Sequence, residues 1–289
     1  MTGFHEGELA VQARAGVREQ AARLGRGMLA APDLNGSIGA FLAARQFAVV
    51  SARDDDGRLW TSPLHAEPGF LDGRDRTLRV AARPAPGDPL HSLTAGRPVG
   101  MLAIDFANRR RVRVNGTVSD ADSGALVIDV DQAYGNCPRF IQPRDLSPAP
   151  LSAAPDFTRA ATLDAEQAAV IAAADTLFLG TAHPTRGADA SHRGGPPGFI
   201  DVTANTLSWP DYPGNNMFNS LGNLAVDPAA AVLVVDFTTG TTVQVSGTGV
   251  PSSGPAPTGA WRSPSRRSSG ATGRICAPSN SRKYPPVFA

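Results

Sequence analysis

One pattern occurs twice in this chain. Gly69-Phe70-Leu71 with Thr77-Leu78 returns as Gly198-Phe199-Ile200 with Thr206-Leu207, displaced by 129 residues. Ile104-Asp105-Phe106, Val112, Val114, Gly116 and Thr117 return as Val235-Asp236-Phe237, Val243, Val245, Gly247 and Thr248, displaced by 131. Ser62 and Ser191 each sit seven residues before a Gly-Phe pair, and FAVVSA at 47–52 matches LFLGTA at 177–182. Chance supplies one such match; it does not supply all of them in the same order and spacing. The chain therefore reads as one small unit used twice.

The unit reads as strands. Val112/Val114 and Val243/Val245 alternate with polar residues, as a half-buried strand does. VGMLAIDF (99–106) and AVLVVDF (231–237) are continuous apolar runs, expected of strands covered on both faces. Asn115-Gly116 and Ser246-Gly247 mark a turn or bulge. The chain holds 30 glycines and 25 prolines, which favours many turns over a helical bundle. Each copy begins with a helix. Ser37 to Arg45 turns Ile38, Phe41 and Leu42 inward, and Asp164 caps a helix through Ala174 with Gln167 at its third position. The fold expected is mainly β (α+β), two tandem antiparallel barrels with N-terminal helices.

Around these copies the sequence changes character. Leu9, Ala13, Val17, Ala21, Leu24 and Met28 recur every three or four positions, one stripe of a single amphipathic helix. Residues 1–34 are thus an N-terminal helical segment, 35–142 the first barrel and 161–250 the second. Residues 143–160, rich in Pro, Ser and Ala at their start, read as a linker. Residues 251–289 have few apolar residues and no periodicity, and read as a disordered tail.

A formal net charge of +1 gives no reason to expect nucleic acid as a partner. No apolar stretch approaches the ~20 residues that span a bilayer, and the N-terminus has no signal-peptide pattern, so a cytoplasmic protein without a membrane partner is expected. Cys137 and Cys276 suggest neither a disulfide framework nor a zinc site; Cys137 reads as a packed or turn cysteine. His183, His192, Asp189 and Asp201 match no metal-ligand spacing, so no metal is expected.

Three segments carry a resemblance: FHEGELAVQARAGV (4–17), AYGNCPRFIQPR (133–144), and 188–228 with ADASHRGGPPGFI and LSWPDYPGNNMFNSLGNLAVDP. In this order they resemble the pyridoxamine 5′-phosphate oxidase-like family of flavin-binding split barrels, over roughly residues 4–250. The resemblance implies two tandem split β-barrels and FMN at a dimer interface; some members bind F420 or heme instead, and some have no known ligand. Carried onto this chain, it implies a cofactor site at His192, Arg193, Trp209, Tyr212, Asn215, Asn216, Asn219 and Ser220. Asn219 and Ser220 stand where the family has a basic pair for the flavin phosphate. That leaves Arg193, Asn and Ser side chains and backbone N–H groups to hold the dianion. Trp209 and Tyr212 are ring walls on one reading, a core aromatic and a turn tyrosine on the other. Asn215-Asn216 is a ligand contact or a turn needing positive φ. His192 and Arg193 point to opposite faces of a strand, so one of them reaches a given site.

The first copy lacks the Trp-Pro-Asp-Tyr and Asn-rich loop and is expected to be mainly structural, so that one chain imitates the family's dimer. His65 and Arg83 are candidates to line a shared site, and a further homodimer is compatible. The activity implied is an FMN-dependent oxidoreductase of unknown substrate, with NAD(P)H or an electron-transfer protein as partner. The alternative is a non-enzymatic module for a flavin or related cofactor, or a barrel without ligand.

Overall fold

The computed structural model describes residues 3–28, 31–146, 156–203, 206–250, 275–276 and 279–283. Helices α1 (Glu6–Arg14), α2 (Arg18–Met28) and α3 (Ser37–Ala43) precede seven strands. These are β1 (Phe47–Arg53), β2 (Leu59–His65), β3 (Leu71–Arg74), β4 (Thr77–Val80), β5 (Pro98–Asp105), β6 (Arg110–Ala121) and β7 (Leu126–Gly135). Then follow β8 (Asp156–Ala160), α4 (Ala165–Ala173), β9 (Thr176–His183), β10 (Gly187–Gly194), β11 (Asp201–Thr203) and β12 (Thr206–Ser208). Helix α5 (Asn219–Val226) leads to β13 (Ala229–Val235), β14 (Thr241–Gly249), β15 (Ile275–Cys276) and β16 (Ser279–Lys283). The fold is mainly β, and no helix among the described residues is long and apolar enough to cross a membrane.

The strands form two antiparallel sheets. The first runs β2-β1-β5-β6-β7-β4-β3, the second β10-β9-β13-β14-β15-β12-β11. Each strand of the first path has its counterpart at the same place in the second, as the repeat requires. The apolar runs earn their length by facing two cores. Val99, Met101 and Ala103 of β5 enter the core of the first sheet, and Leu102 and Ile104 enter a core shared by both sheets. In β13, Val232 and Val234 face the second sheet's own core, and Leu233 and Val235 the shared one. Phe47 and Phe106 from the first half meet Phe178 from the second in that shared core.

Four expectations need correction. The helix read from residue 6 to 28 is two helices, because the chain turns at Gly16, whose φ is +69°. The buried face of α1 is Gly7, Glu8, Val11 and Gln12, with Leu9 exposed. The linker's last residues, 156–160, form β8, and the tail read as disordered contributes β15 and β16, which pair with β14 by backbone hydrogen bonds that need no apolar side chain. Residues 147–155, 251–274, 277–278 and 284–289 lie outside the described residues. The bulge expected at Asn115-Gly116 is present, whereas Gly247 pairs with Ala230 in regular register.

Helix α4 forms as its sequence dictates. Asp164 caps it by accepting from the Gln167 N–H, and the Gln167 side chain accepts from the Asp164 N–H in return. Helix α3 buries Phe41 and Leu42.

Candidate functional site

Strand β10 crosses β5 and β6, so the two halves meet along a polar seam beside the shared core. Period-2 alternation sends Val112 and Val114 into the first core and Arg111, Arg113 and Asn115 to the opposite face. There Arg113 pairs with Asp189 of β10 at 2.9 Å, both buried. Arg111 Nη1 lies 2.6 Å from His192 Nδ1. The guanidinium can only donate, so His192 accepts at Nδ1 and carries its proton on Nε2. Burial and the surrounding arginines hold His192 far below the usual imidazole range, in its neutral form.

A cavity of about 320 Å³ opens at one end of this seam, lined by Arg109, Arg110, Arg111, Phe41, Gly135 and Asn136, among others, and by no carboxylate. Burial, then the charges of Arg113 and Arg193, push the Arg111 guanidinium down to about 9. Arg111 still carries its charge at neutral pH and makes no ion pair among the described residues. Two buried donors of its lining residues lack a protein partner, Arg111 Nε and Asn136 Nδ2; His192 Nε2, on the ring that meets Arg111 but packed against Phe106 and Phe178, lacks one as well. A desolvated cation with orphaned donors beside a hollow is an environment that takes an anion.

The expected cofactor residues divide into two groups. Asn215 donates to Asn136 of the cavity wall at 3.2 Å, and Tyr212, packed against the second core, stacks on Phe140 at 4.6 Å. His192 meets Arg111, and Arg193 lies 3.6 Å from Asp211. The others hold the fold. Trp209 is 4% exposed inside the second core, which is the core-aromatic reading rather than a ring wall. Asn216 has φ +60° and donates to Gln20, as the turn reading requires. Asn219 donates to Glu8, and the Ser220 hydroxyl lies 3.0 Å from Ser191 Oγ and 3.3 Å from Asp189 Oδ2. Arg83 clamps its own half by donating to the carbonyls of His91, Leu93 and Asp122, away from the seam, and His65 closes β2 opposite Phe47.

Sequence reasoning missed Arg111, Arg113, Asp189 and Asn136. The signal was available in RRRVRVNG (109–116): if the valines face a core, the residues between them share the other face. It also missed a second cluster, between the start of α1 and the end of β9. His5, Glu6 and His183 bring their ligand atoms within 4.8 Å of one another. Their hydrogen bonds argue for protons rather than a metal. Each imidazole accepts a backbone N–H at Nδ1, from Gly7 and Thr185, and so presents Nε2–H to Asn223 and Glu6.

The repeat also builds a second seam. Gln244 of β14 stands where the repeat puts Arg113, and it donates to Ser62 and Asp88 across from β2. The arginine seam is thus matched by one in which Gln244 and Ser62 meet the Asp88 carboxylate.

Two large antiparallel sheets, joined by a core and a polar seam, define a mainly β protein. Residues 163–284 match the family described as pyridoxamine 5′-phosphate oxidase. Three solved structures are similar over less than half of the chain. A HupZ variant from Group A Streptococcus is 12% identical over 41% of this chain and 98% of its own, with a TM-score of 0.31. An FAD-binding protein from Mycobacterium smegmatis is 12% identical (43% and 98%, TM-score 0.30). An FAD-binding protein from Mesorhizobium loti is 15% identical (42% and 96%, TM-score 0.28). No curated protein matches.

Proposed function

We propose that the chain is a pseudo-dimer of two split barrels that binds one flavin nucleotide in its cationic seam. The observation that carries this reading is the cavity lined by Arg111 and Asn136, each with an unpartnered donor, and with no carboxylate among its lining residues. The matched strand order of the sheets supports the tandem arrangement, and the family of residues 163–284 supports the cofactor class. The residues fit a phosphorylated ligand. Arg111 and Asn136 would hold its anionic part, with Arg193 and Asn215 beside them. His192 would hold the Arg111 guanidinium in place by accepting at Nδ1. Phe41 gives the cavity an aromatic wall. The volume falls at the low end of ligand pockets, ~300–1,000 Å³, so a flavin would leave part of itself outside the hollow. When bound, it would supply hydride and one-electron chemistry, while the protein supplies position, charge and dryness.

Thr242 and Gln244 occupy the positions of Arg111 and Arg113 in the second seam. Neutral side chains there leave an anion no counter-charge, so the stoichiometry is one ligand per chain. Quenching of flavin fluorescence by the purified protein tests the reading, with FMN and FAD titrated separately and F420 as the third ligand. Saturation at one per chain is expected. Arg111→Ala should weaken binding about tenfold or more, because a charge-assisted hydrogen bond contributes roughly 1.5–3 kcal/mol. Saturation at two per chain would remove the asymmetric seam, and no quenching by any of the three would remove the flavin. Oxidation of NAD(P)H by the loaded protein separates an oxidoreductase from a cofactor carrier.

A further inference from the structure

One hairpin plan occurs twice, and only the first copy is charged. Between β5 and β6, Asp105 accepts from the Asn108 N–H at 3.0 Å and from its side-chain amide at 3.1 Å. Between β13 and β14, Asp236 accepts from the Thr239 N–H at 3.4 Å and from its hydroxyl at 2.7 Å. The next residue of each turn is left-handed: Gly240 with φ +74°, and Arg109 with φ +50°. Glycine takes this conformation freely, and a residue with a Cβ takes it at a steric cost. Arg109 is therefore strained where the matching turn has the unstrained residue, and strain of this kind collects at ligand clamps. Thr241 and Thr242 stand opposite Arg110 and Arg111 in the same way.

The three arginines line the cavity at two depths. Arg111 is partly buried and meets His192, whereas Arg109 and Arg110 are exposed. Neither of the exposed pair has a carboxylate partner among the described residues, although Arg45 beside them is paired with Asp105. Arg45 and Arg110 lie over the same Phe41 ring, at 4.5 and 5.3 Å, so the ring steadies the rim guanidinium in place of an anion. Like charges held together repel. A ligand with one anionic group answers Arg111 alone; cations inside and at the rim match a ligand with two, set apart along its length. A nicotinamide dinucleotide with a phosphate on its adenosine ribose has that form, and a guanidinium is the group that accommodates a 2′-phosphate.

We propose that Arg109 and Arg110 form an outer subsite for the 2′-phosphate of NADPH and so set a preference for that dinucleotide over NADH. This rests on the flavin reading, in which Arg111 holds the cofactor and the reductant enters through the mouth of the cavity. The β13–β14 hairpin, with Gly240 and Thr241 at these positions, has no such subsite.

The nucleotides 2′,5′-ADP and 5′-AMP differ by that one phosphate and have no redox chemistry, so calorimetric titration of the full chain with each reads the subsite directly. The wild type should bind 2′,5′-ADP about tenfold or more tightly than AMP, through charge-assisted hydrogen bonds. Arg109→Gly installs the residue of the matching turn and relieves the left-handed strain, so the fold is kept; it should remove most of the preference. Arg109→Gly/Arg110→Thr should remove all of it. Arg79→Thr, which takes one exposed charge from β4, should leave the preference intact. The proposal is overturned if the wild type binds the two nucleotides alike or binds neither, if the preference survives in the double variant, or if Arg79→Thr lowers it as much as Arg109→Gly does. Flavin quenching is read on the same protein without nucleotide. A chain that quenches no flavin but prefers 2′,5′-ADP loses the flavin reading and keeps the subsite; one that quenches flavin without the preference loses the subsite alone.

Discussion

Burial sets His5 and Glu8 against each other. Burial, then the charge of His183, lowers His5 from 6.5 to about 4. Burial raises Glu8 from 4.5 to about 7, although the His5 N–H and Asn219 both donate to it. Between about pH 4 and 6.5 the unfolded chain holds the His5 proton and the folded chain does not, so this residue's stabilisation grows as pH rises. Between about 4.5 and 7 the folded chain keeps the Glu8 proton that the unfolded chain has lost, so its contribution shrinks as pH rises. The two nearly cancel in the wild type. Single substitutions unmask them: Glu8→Gln should gain stability from pH 4 to 6.5, and His5→Asn, which preserves the helix cap, should lose it from 4.5 to 7. Each slope is worth at most roughly 3 kcal/mol. Urea midpoints measured against pH read both, and slopes of the same sign would contradict the assignment. Neither residue was legible as a partner in the sequence, because His5 and Asn223 are 218 positions apart and long-range polar pairs leave no local pattern.

At the scale of elements, α1 is held by α5 through backbone contact. A Cβ on Gly7 would lie 2.1 Å from the Gly222 carbonyl oxygen, and one on Gly222 would lie 2.7 Å from the Glu8 backbone. Gln12 completes the dock by donating to the Met217 carbonyl. Gly222→Ala gains about 1 kcal/mol of helix propensity, but neither backbone can give way as a flexible side chain would. The overlap wins, and a net loss of about 3 kcal/mol is expected, seen as a lower melting temperature and faster proteolysis at the α1–α2 turn. An unchanged melting temperature would mean that α1 does not pack as described. This dock explains what the sequence hid. Its face is small and polar, so the apolar stripe through Leu9 and Ala13 indicated the wrong side. The cap at Asp164 and the apolar strands were legible because their signals are local. Strands β15 and β16 were not, because they are two and five residues long, pair through their backbones, and lie in a segment whose composition resembles that of a loop.

For the whole molecule, the strand order of the first sheet recurs along a path of the second, in keeping with the displaced segment matches in the sequence. The asymmetry between the seams was harder to read, because it lies in side chains that the repeat does not share, Arg113 against Gln244. The shared core decides how the halves behave. Phe178 is fully buried, and its ring lies 5.7 Å from that of Phe47 in the other half. Leu102 and Ile104 line the same cluster with Leu233 and Val235. Neither half can expose these residues cheaply, so the halves should unfold in one transition despite their separate inner cores. Tryptophans report on each: Trp60 sits in the first core and Trp209 in the second. In a Trp261→Phe background, variants retaining only Trp60 or only Trp209 should melt at the same temperature once corrected for their own substitutions. Phe178→Ala should then lower both midpoints together, by the equivalent of about 3–5 kcal/mol. Were the halves independent, only the Trp209 signal would move; a common shift means that the two sheets are one cooperative unit, and that the seam between them is as rigid as a core.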